Sequence, residues 1–340
     1  MSIKEQVRQL WKQCFNDSDE FIELYFCMRY TDNINSYIEE DGKVVAALQR
    51  IPYPMMYRNH VLPIGYISGA CTHPAYRNRG IMNRLLAEAH RKMYEEGKVL
   101  STLIPAEEWL KGYYARSGYA VCFQQERKLL TASMLPVHNL LPSFKINEID
   151  LSVKIAQEVF LFFDKCQHES RCGVLHTAED LQVILADLKL SGGSLWSGFC
   201  NGKLEALCLC LMQDGQLLVK ELLTKREEVE QAMLTHLFQY YRVETLSLVS
   251  PSENHPHDLG MARLLNVEVM LSYFAASHQG IYIQVEGDKA IPENNGFYNL
   301  ENGLCVRGYR EDKSYQLFTI EELTRFVFAG QHPYMNLMLD

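Results

Sequence analysis

No uncharged apolar run in this chain approaches the roughly 20 residues needed to cross a bilayer, and Met1-Ser2-Ile3-Lys4-Glu5-Gln6 contains no apolar signal core. Neither membrane insertion nor export is expected, and a cytoplasmic address is. Cationic excess is also missing. The formal net charge is -9, which disfavours nucleic acid and anionic lipid as partners and favours cationic substrates such as amines. Ten cysteines are present, but without the spacing of a disulfide framework, so they read as reduced and largely buried thiols. Cys166, His168, Cys172 and His176 match no zinc-ligand pattern, and no metal is expected. Cys208 and Cys210 fall on one face of a strand, turned into a core. His255-Pro256-His257 reads as an exposed loop.

What the chain has is enough apolar material for several cores. Its 340 residues are 47% apolar and 22% charged, values of a globular protein, and a prior of roughly 150 residues per domain gives two or three domains. Apolar spacing over Lys4 to Phe26 predicts two helices. Strands Ile34 to Ile38 and Val44 to Gln49 flank an Asp41-Gly42 turn, and a third strand runs from His60 to Thr72 before Pro74. After Gly80 the stripe Ile81, Met82, Leu85, Leu86, Ala89 and Met93 predicts an amphipathic helix stopped at Gly97. Strand Val99 to Ile104, helix Glu107 to Arg116 closed by Gly118, and strand Tyr119 to Leu129 complete a first domain.

Residues 134–146, with Pro136 and Pro142, read as a linker. A second unit then shows helices at Ser152 to Lys165 and Ala178 to Leu188, and strands at Ser194 to Cys200, Leu204 to Met212 and Gln216 to Leu223. Asn201-Gly202 and Asp214-Gly215 turn between those strands. Helix Glu227 to Tyr241 and strand Thr245 to Val249 follow, in an order that echoes the first domain. A last unit from about Met261 holds Val267 to Phe274 as helix or strand, strands Gly280 to Val285 and Gly296 to Leu300, and a helix Phe318 to Phe328.

The central motif is Thr72-His73-Pro74-Ala75-Tyr76-Arg77-Asn78-Arg79-Gly80-Ile81-Met82, set between a strand and an amphipathic helix. Such a turn lets backbone N–H groups converge at a helix N-terminus, where free donors and the positive dipole end favour a pyrophosphate. Arg77 and Arg79 add charge. Taken alone, the same residues also read as a basic surface turn.

Two patterns together make the chain resemble the GNAT superfamily of N-acetyltransferases. Arg77-Asn78-Arg79-Gly80-Ile81-Met82 is similar to its R/Q-x-x-G-x-G/A phosphate pattern, with Met82 in place of the second small residue. Tyr114-Ala115-Arg116-Ser117-Gly118-Tyr119 is similar to its tyrosine placed four residues before a Gly-aromatic pair. The tail extends the resemblance to the branch named for enhanced intracellular survival. Met261-Ala262-Arg263-Leu264-Leu265-Asn266-Val267 resembles the opening of that branch's last domain, with Asn266 in place of an acid. Gly280 to Ile283, Ile291 to Gly296 and Leu323 to Gly330 resemble its later strand, turn and helix.

The resemblance implies an α/β fold of mixed sheets, with two tandem GNAT-like domains and a small α+β domain like a sterol carrier protein. The bounds are 1–133 catalytic, 147–260 degenerate and 261–340 sterol-carrier-like with the C-terminal tail. It implies acetyl-coenzyme A as co-substrate and an aminoglycoside-, polyamine- or lysine-like amine as acceptor. Ala70, Cys71, Thr72, Arg77, Asn78, Arg79, Gly80, Ile81, Met82 and Asn83 would bind the donor, with strand N–H groups at Ala70 to Thr72 on the thioester oxygen. Tyr114 is the candidate acid, because a phenol with a pKa of about 10 holds a proton for a departing thiolate. It also reads as an aromatic packed beside Tyr113. Glu39, Glu40, Glu107 and Glu108 are weak candidates for the base. In the family the C-terminal carboxylate serves, here Asp340, although family tails often end in an aromatic.

Leu223-Thr224-Lys225-Arg226-Glu227-Glu228 has no glycine where the second unit would need a phosphate turn, so no second cofactor is expected. A non-catalytic coenzyme A or lipid module, and a transferase using another acyl or peptide N-terminal chemistry, stand as alternatives. Oligomeric state is left open, a homo-oligomer included.

Overall fold

The structure is a computed structural model, and residues 1–135, 144–170, 172–251 and 256–339 are described. By contact the chain divides into two units. Unit 1 joins Met1–Phe123 to Asp258–Pro333, and unit 2 comprises Gln124–His257 with the tail Tyr334–Leu339.

Ser2 and Ser18 cap helices α1 (Ile3–Cys14) and α2 (Asp19–Met28), each hydroxyl accepting from the N–H three residues on. Their stripes, Val7, Leu10 and Trp11, then Ile22, Tyr25 and Phe26, are buried as the spacing predicts. Asp41 and Gly42, at φ of 50° and 74°, join β1 (Asn35–Glu40) to β2 (Lys43–Tyr57). β2 continues past the expected Gln49 because its second half pairs with β3 (His60–Thr72), beyond its last pair with β1. Pro52 and Pro54 lie in that stretch, where a missing N–H interrupts no pairing with β1.

α3 (Ile81–Glu95) lays Leu85, Leu86, Ala89 and Met93 into the core and is followed by Gly97 at φ 77°. Next come β4 (Leu100–Leu103), α4 (Glu108–Ala115) and β5 (Ala120–Thr131), whose first residues belong to unit 1.

Residues 136–143, most of the expected linker, lie outside the described residues. Unit 2 then runs β6 (Phe144–Ile149), α5 (Gln157–His168), β7 (Cys172–Val174), α6 (Ala178–Leu190), β8 (Ser194–Cys200), β9 (Lys203–Gln213), β10 (Gln216–Thr224), α7 (Glu227–Tyr241) and β11 (Thr245–Pro251). α5 begins at Gln157 rather than Ser152, because the Asp150 carboxylate accepts the Ser152 N–H and holds a turn there. The two Asx-Gly turns adopt positive φ and close the β8–β9 and β9–β10 hairpins. Strand order is the later part of β5, then β11, β10, β9, β8 and β6. One core packs α7, with Cys208 and Cys210 both in it, and a second core packs α5 and α6.

The chain returns to unit 1 as β12 (His257–Leu264), antiparallel to β4. His257 is therefore the first residue of a strand, not part of a loop. Its run is buried continuously from Gly260 to Leu264, so the sequence shows no alternation there. α8 (Val267–Ala275), β13 (Ile281–Val285), β14 (Gly296–Glu301), β15 (Leu304–Arg307), β16 (Gln316–Phe318) and α9 (Ile320–Phe328) follow. β15 and β16 have no counterpart in the sequence reading; they complete a sheet of order β15-β14-β13-β16. α9 starts at Ile320, not Phe318, since Thr319 and Glu322 form a capping box. A buried Arg263–Asp288 ion pair at 2.7 Å ties β12 to the turn after β13.

All ten cysteines are free thiols. Among the described residues no helix is long and apolar enough to cross a membrane.

Candidate active site

In unit 1 the end of β3 stands apart from β4. The two strands pair only from Ile64–Leu100 to Tyr66–Thr102, while β3 continues to Thr72. Opposite Leu48 its register with β2 slips, and Gly69 and Ala70 form a bulge between Ser68 and Cys71. Gly69 is needed twice over. Its φ is 59°, and a Cβ there would lie 2.1 Å from the Trp11 ring. Beyond the bulge, Ala70 and Thr72 are half-buried and Cys71 is buried. The Thr72 carbonyl accepts from Arg77 Nε at 3.2 Å and from the Cys14 thiol at 3.5 Å.

Arg77 and Cys71 also act on Cys14. The Cys71 S–H donates to its sulfur, and with the Arg77 guanidinium this brings the Cys14 pKa down to about 7 against the effect of burial. Cys71 is pushed well up in turn. Nothing in the sequence flags Cys14, since its partner lies on a strand far along the chain.

The connecting loop is built to hold an open helix end. His73 Nδ1 accepts from the Ala75 N–H, and Arg79 reaches back to the Ala75 carbonyl at 3.0 Å over the Tyr76 ring. Asn78 and Gly80 take φ of 63° and 72°. Gly80 is the N-cap residue of α3, with no side-chain cap, so the N–H groups of Ile81, Met82 and Asn83 have no acceptor within the helix. A Cβ on Gly80 would meet nothing within 4 Å, so the turn borders open space. Arg77, Asn78, Arg79, Gly80 and Asn83 are exposed around it. Ile81 and Met82 turn their side chains into the core, which leaves only their backbone to face a ligand. The bulk of Met82 therefore lies away from the turn.

Tyr114 sits at the end of α4, 8% exposed, edge-on to Tyr113 and Tyr119. Burial, then Tyr113, pushes its phenol up to about 12, and among the described residues its hydroxyl has no hydrogen-bond partner. Behind it, the buried Tyr119 hydroxyl lies 2.6 Å from Ser101 Oγ and 2.9 Å from His90 Nε2. Burial holds His90 neutral, with Arg263 adding to the effect.

The weaker carboxylate candidates lie at the surface. Glu39 is exposed at the hairpin, Glu40 is half-buried there, Glu107 takes the Trp109 indole N–H, and Glu108 pairs with Lys111 at 2.8 Å. Asp340 lies outside the described residues. Asn83 also lines a cavity of about 500 Å³ beside α3 and the end of α4, with His90, Ser117, Arg263 and Lys289. On its wall the Arg263 Nε has no hydrogen-bond acceptor.

Comparison with known proteins adds a domain match and a fold likeness to this geometry. Residues 2–122 match the Acetyltransferase (GNAT) domain. No curated protein sequence matches the chain. Among solved structures, a GCN5-related N-acetyltransferase from Kribbella flavida is similar with a TM-score of 0.76 at 15% identity, covering 99% of this chain and 95% of that one. Another from Anabaena variabilis gives 0.75 at 16%, covering 97% and 96%. Eis1 from Mycobacterium abscessus gives 0.72 at 13%, covering 96% and 86%. At these identities the likeness is one of fold, and it runs along nearly the whole chain. Residues 2–122 thus carry a GNAT acetyltransferase domain, and the protein is an enzyme of acyl transfer with mixed α/β architecture.

Proposed function

We propose that the chain moves the acetyl group of acetyl-coenzyme A to a primary amine by direct attack. The observation that carries this reading is the uncapped start of α3 behind Gly80, flanked by Arg77 and Arg79, beside the splayed end of β3. The residues fit a pyrophosphate, since the first N–H groups of α3 have no side-chain cap, Gly80 borders open space, and both arginines are exposed.

When bound, the donor supplies an activated acetyl thioester. Ile81 to Asn83 present N–H groups to its phosphates, and the two arginines balance their charge. Backbone donors at Ala70 to Thr72 are assigned to the carbonyl oxygen, where negative charge develops. Tyr114 keeps its proton at neutral pH, the form a departing thiolate with a pKa of about 8.5 requires. The C-terminal carboxylate of Asp340 is assigned to the amine proton. In the same reading the acceptor is aminoglycoside-, polyamine- or lysine-like, 1–133 and 147–260 are tandem GNAT-like domains, and 261–340 is sterol-carrier-like in a cytoplasmic enzyme.

Thiol release from acetyl-coenzyme A, followed across a panel of primary amines, tests the proposal. Release should depend on the amine, and Tyr114→Phe should lower turnover far more than donor affinity. Donor binding without release for any amine would replace the proposal with a binding module.

A further inference from the structure

Unit 2 repeats the strand arrangement of the site in unit 1 and fills it with different chemistry. β10 pairs antiparallel with β9 along its length but parallel with β11 only from Leu217–Leu246 to Val219–Leu248. Directly after, Lys220 is a bulge residue, since Val219 faces Cys210 and Glu221 faces Leu209. The bulge changes which side chains face which core. Leu217 and Val219 pack with α7, whereas beyond it Leu222 packs there and Leu223 packs with α5 and α6. Were Lys220 paired as an ordinary ladder residue, Glu221 would follow Leu217 and Val219 into the α7 core.

Instead Glu221, 9% exposed, lines a cavity of about 240 Å³ with Phe163, Val174, Leu223 and Leu337. The tail frames this carboxylate. Asn336 Nδ2 donates to Glu221 Oε2 at 2.7 Å and to the Lys220 carbonyl at 2.6 Å, and the Tyr334 hydroxyl donates to Oε2 at 3.3 Å. The tail is itself strapped to β7, with the Val174 N–H on the Tyr334 carbonyl at 3.0 Å and the Tyr334 N–H on the Cys172 carbonyl at 3.1 Å.

Several other polar groups around the cavity are held by partners. Gln167 exchanges two bonds with the His176 backbone, each 2.7 Å, and His176 Nε2 meets the Asn336 carbonyl at 2.9 Å. Glu169 pairs with Lys225. Among the described residues, Glu221 Oε1 accepts no hydrogen bond and no cation pairs with the carboxylate. That oxygen opens onto the cavity, where a bound donor can complete the carboxylate's hydrogen bonds.

We propose that this cavity is a binding site for a primary amine, whose ammonium donates to Glu221 Oε1 while its carbon chain lies between Phe163, Val174, Leu223 and Leu337. One carboxylate is too few to hold a divalent cation, and the same charge excludes an anion. At about 30 Å³ per water-sized group, the space suits a short aliphatic chain. The site goes beyond the transferase reading, and as an amine site it is measured without the donor.

The test titrates n-butylamine into the full chain in the absence of coenzyme A, with 1-butanol as the neutral isostere. Butylamine should bind and butanol should not. Glu221→Gln, which keeps an acceptor for Asn336 and Tyr334, should weaken butylamine about tenfold or more. A second readout needs no variant: in NMR, the titration of the Glu221 carboxyl in the wild-type protein should move to lower pH when butylamine is present. Equal binding by wild type and Glu221→Gln, equal binding of butanol, or an unmoved titration would each overturn the site. Thiol release separates the two ideas. Glu221-dependent amine binding with no release from any amine keeps the site and removes the transferase, whereas release with no Glu221-dependent binding does the reverse.

Discussion

Replacing Glu221 by glutamine should stabilise the protein, and only on the alkaline side. The carboxyl is buried, and desolvation pushes it up from 4.5 to about 7, with the Asn336 and Tyr334 donors pulling back only part of the way. Its folded pKa thus lies above its unfolded value, so the folded chain holds a proton that the unfolded chain gives up between those two pH values. The contribution to stability is complete below about 4.5 and is lost as pH rises through about 7. At about 1.4 kcal/mol per unit, the loss amounts to about 3 kcal/mol. Glutamine cannot ionise, and its carbonyl can still accept from both donors, so it avoids that loss. Cys166, His176, Tyr334 and the Glu169–Lys225 pair also border the cavity, but they are common to both proteins and cancel in the difference. Thermal melts should nearly coincide in mild acid. In mild alkali the variant should melt roughly 6–12 °C higher if unit 2 unfolds by itself, at about 2–4 °C per kcal/mol. A variant that melts lower in alkali, or a gap independent of pH, would refute the reasoning.

Gly69→Ala should cost more than the usual 1–3 kcal/mol of overpacking, because its Cβ would meet the Trp11 ring at a left-handed residue, and a melt unchanged from wild type would remove that contact from the account. Gly80→Ala shares the positive φ but meets open space, so it should cost only about 1–2 kcal/mol of stability while weakening coenzyme A more strongly; unchanged donor affinity by calorimetry would separate the turn from the phosphates. Cys14 should be the thiol alkylated first by iodoacetamide, with a rate that climbs through about pH 7, whereas exposed Cys27 is slowed by Glu23, which raises its pKa. Peptide mapping that finds Cys27 labelled ahead of Cys14 would contradict this.

The parts of the fold that local chemistry dictates were legible in the chain. Asp41-Gly42, Asn201-Gly202 and Asp214-Gly215 each turn where their φ preferences require, and β3 has the bounds its pattern predicts. β12 was not legible, because its partner β4 lies some 160 residues earlier and burial of consecutive residues from Gly260 to Leu264 erases the alternation. The loop from Arg77 to Asn83 could be read because glycine, arginine and helix onset follow one another in sequence. Glu221 could not. An acid in an alternating strand reads as solvent-facing, the bulge that redirects it carries no residue signature, and its donors come from Tyr334 and Asn336.

The two units show how one strand device can serve opposite charges. In each, a strand bulges just after a three-residue parallel pairing and leads into a helix. In unit 1 the helix starts at an uncapped glycine beside two arginines, and the free N–H groups suit an anion. In unit 2 the helix starts at Arg226 without glycine, and Glu227, Glu228 and Glu230 already occupy its first turn, where their charges complement the dipole and repel phosphate. The bulge then offers a carboxylate in place of phosphate donors. Unit 1 thus offers donors suited to an anionic nucleotide, and unit 2 an acceptor suited to a cation.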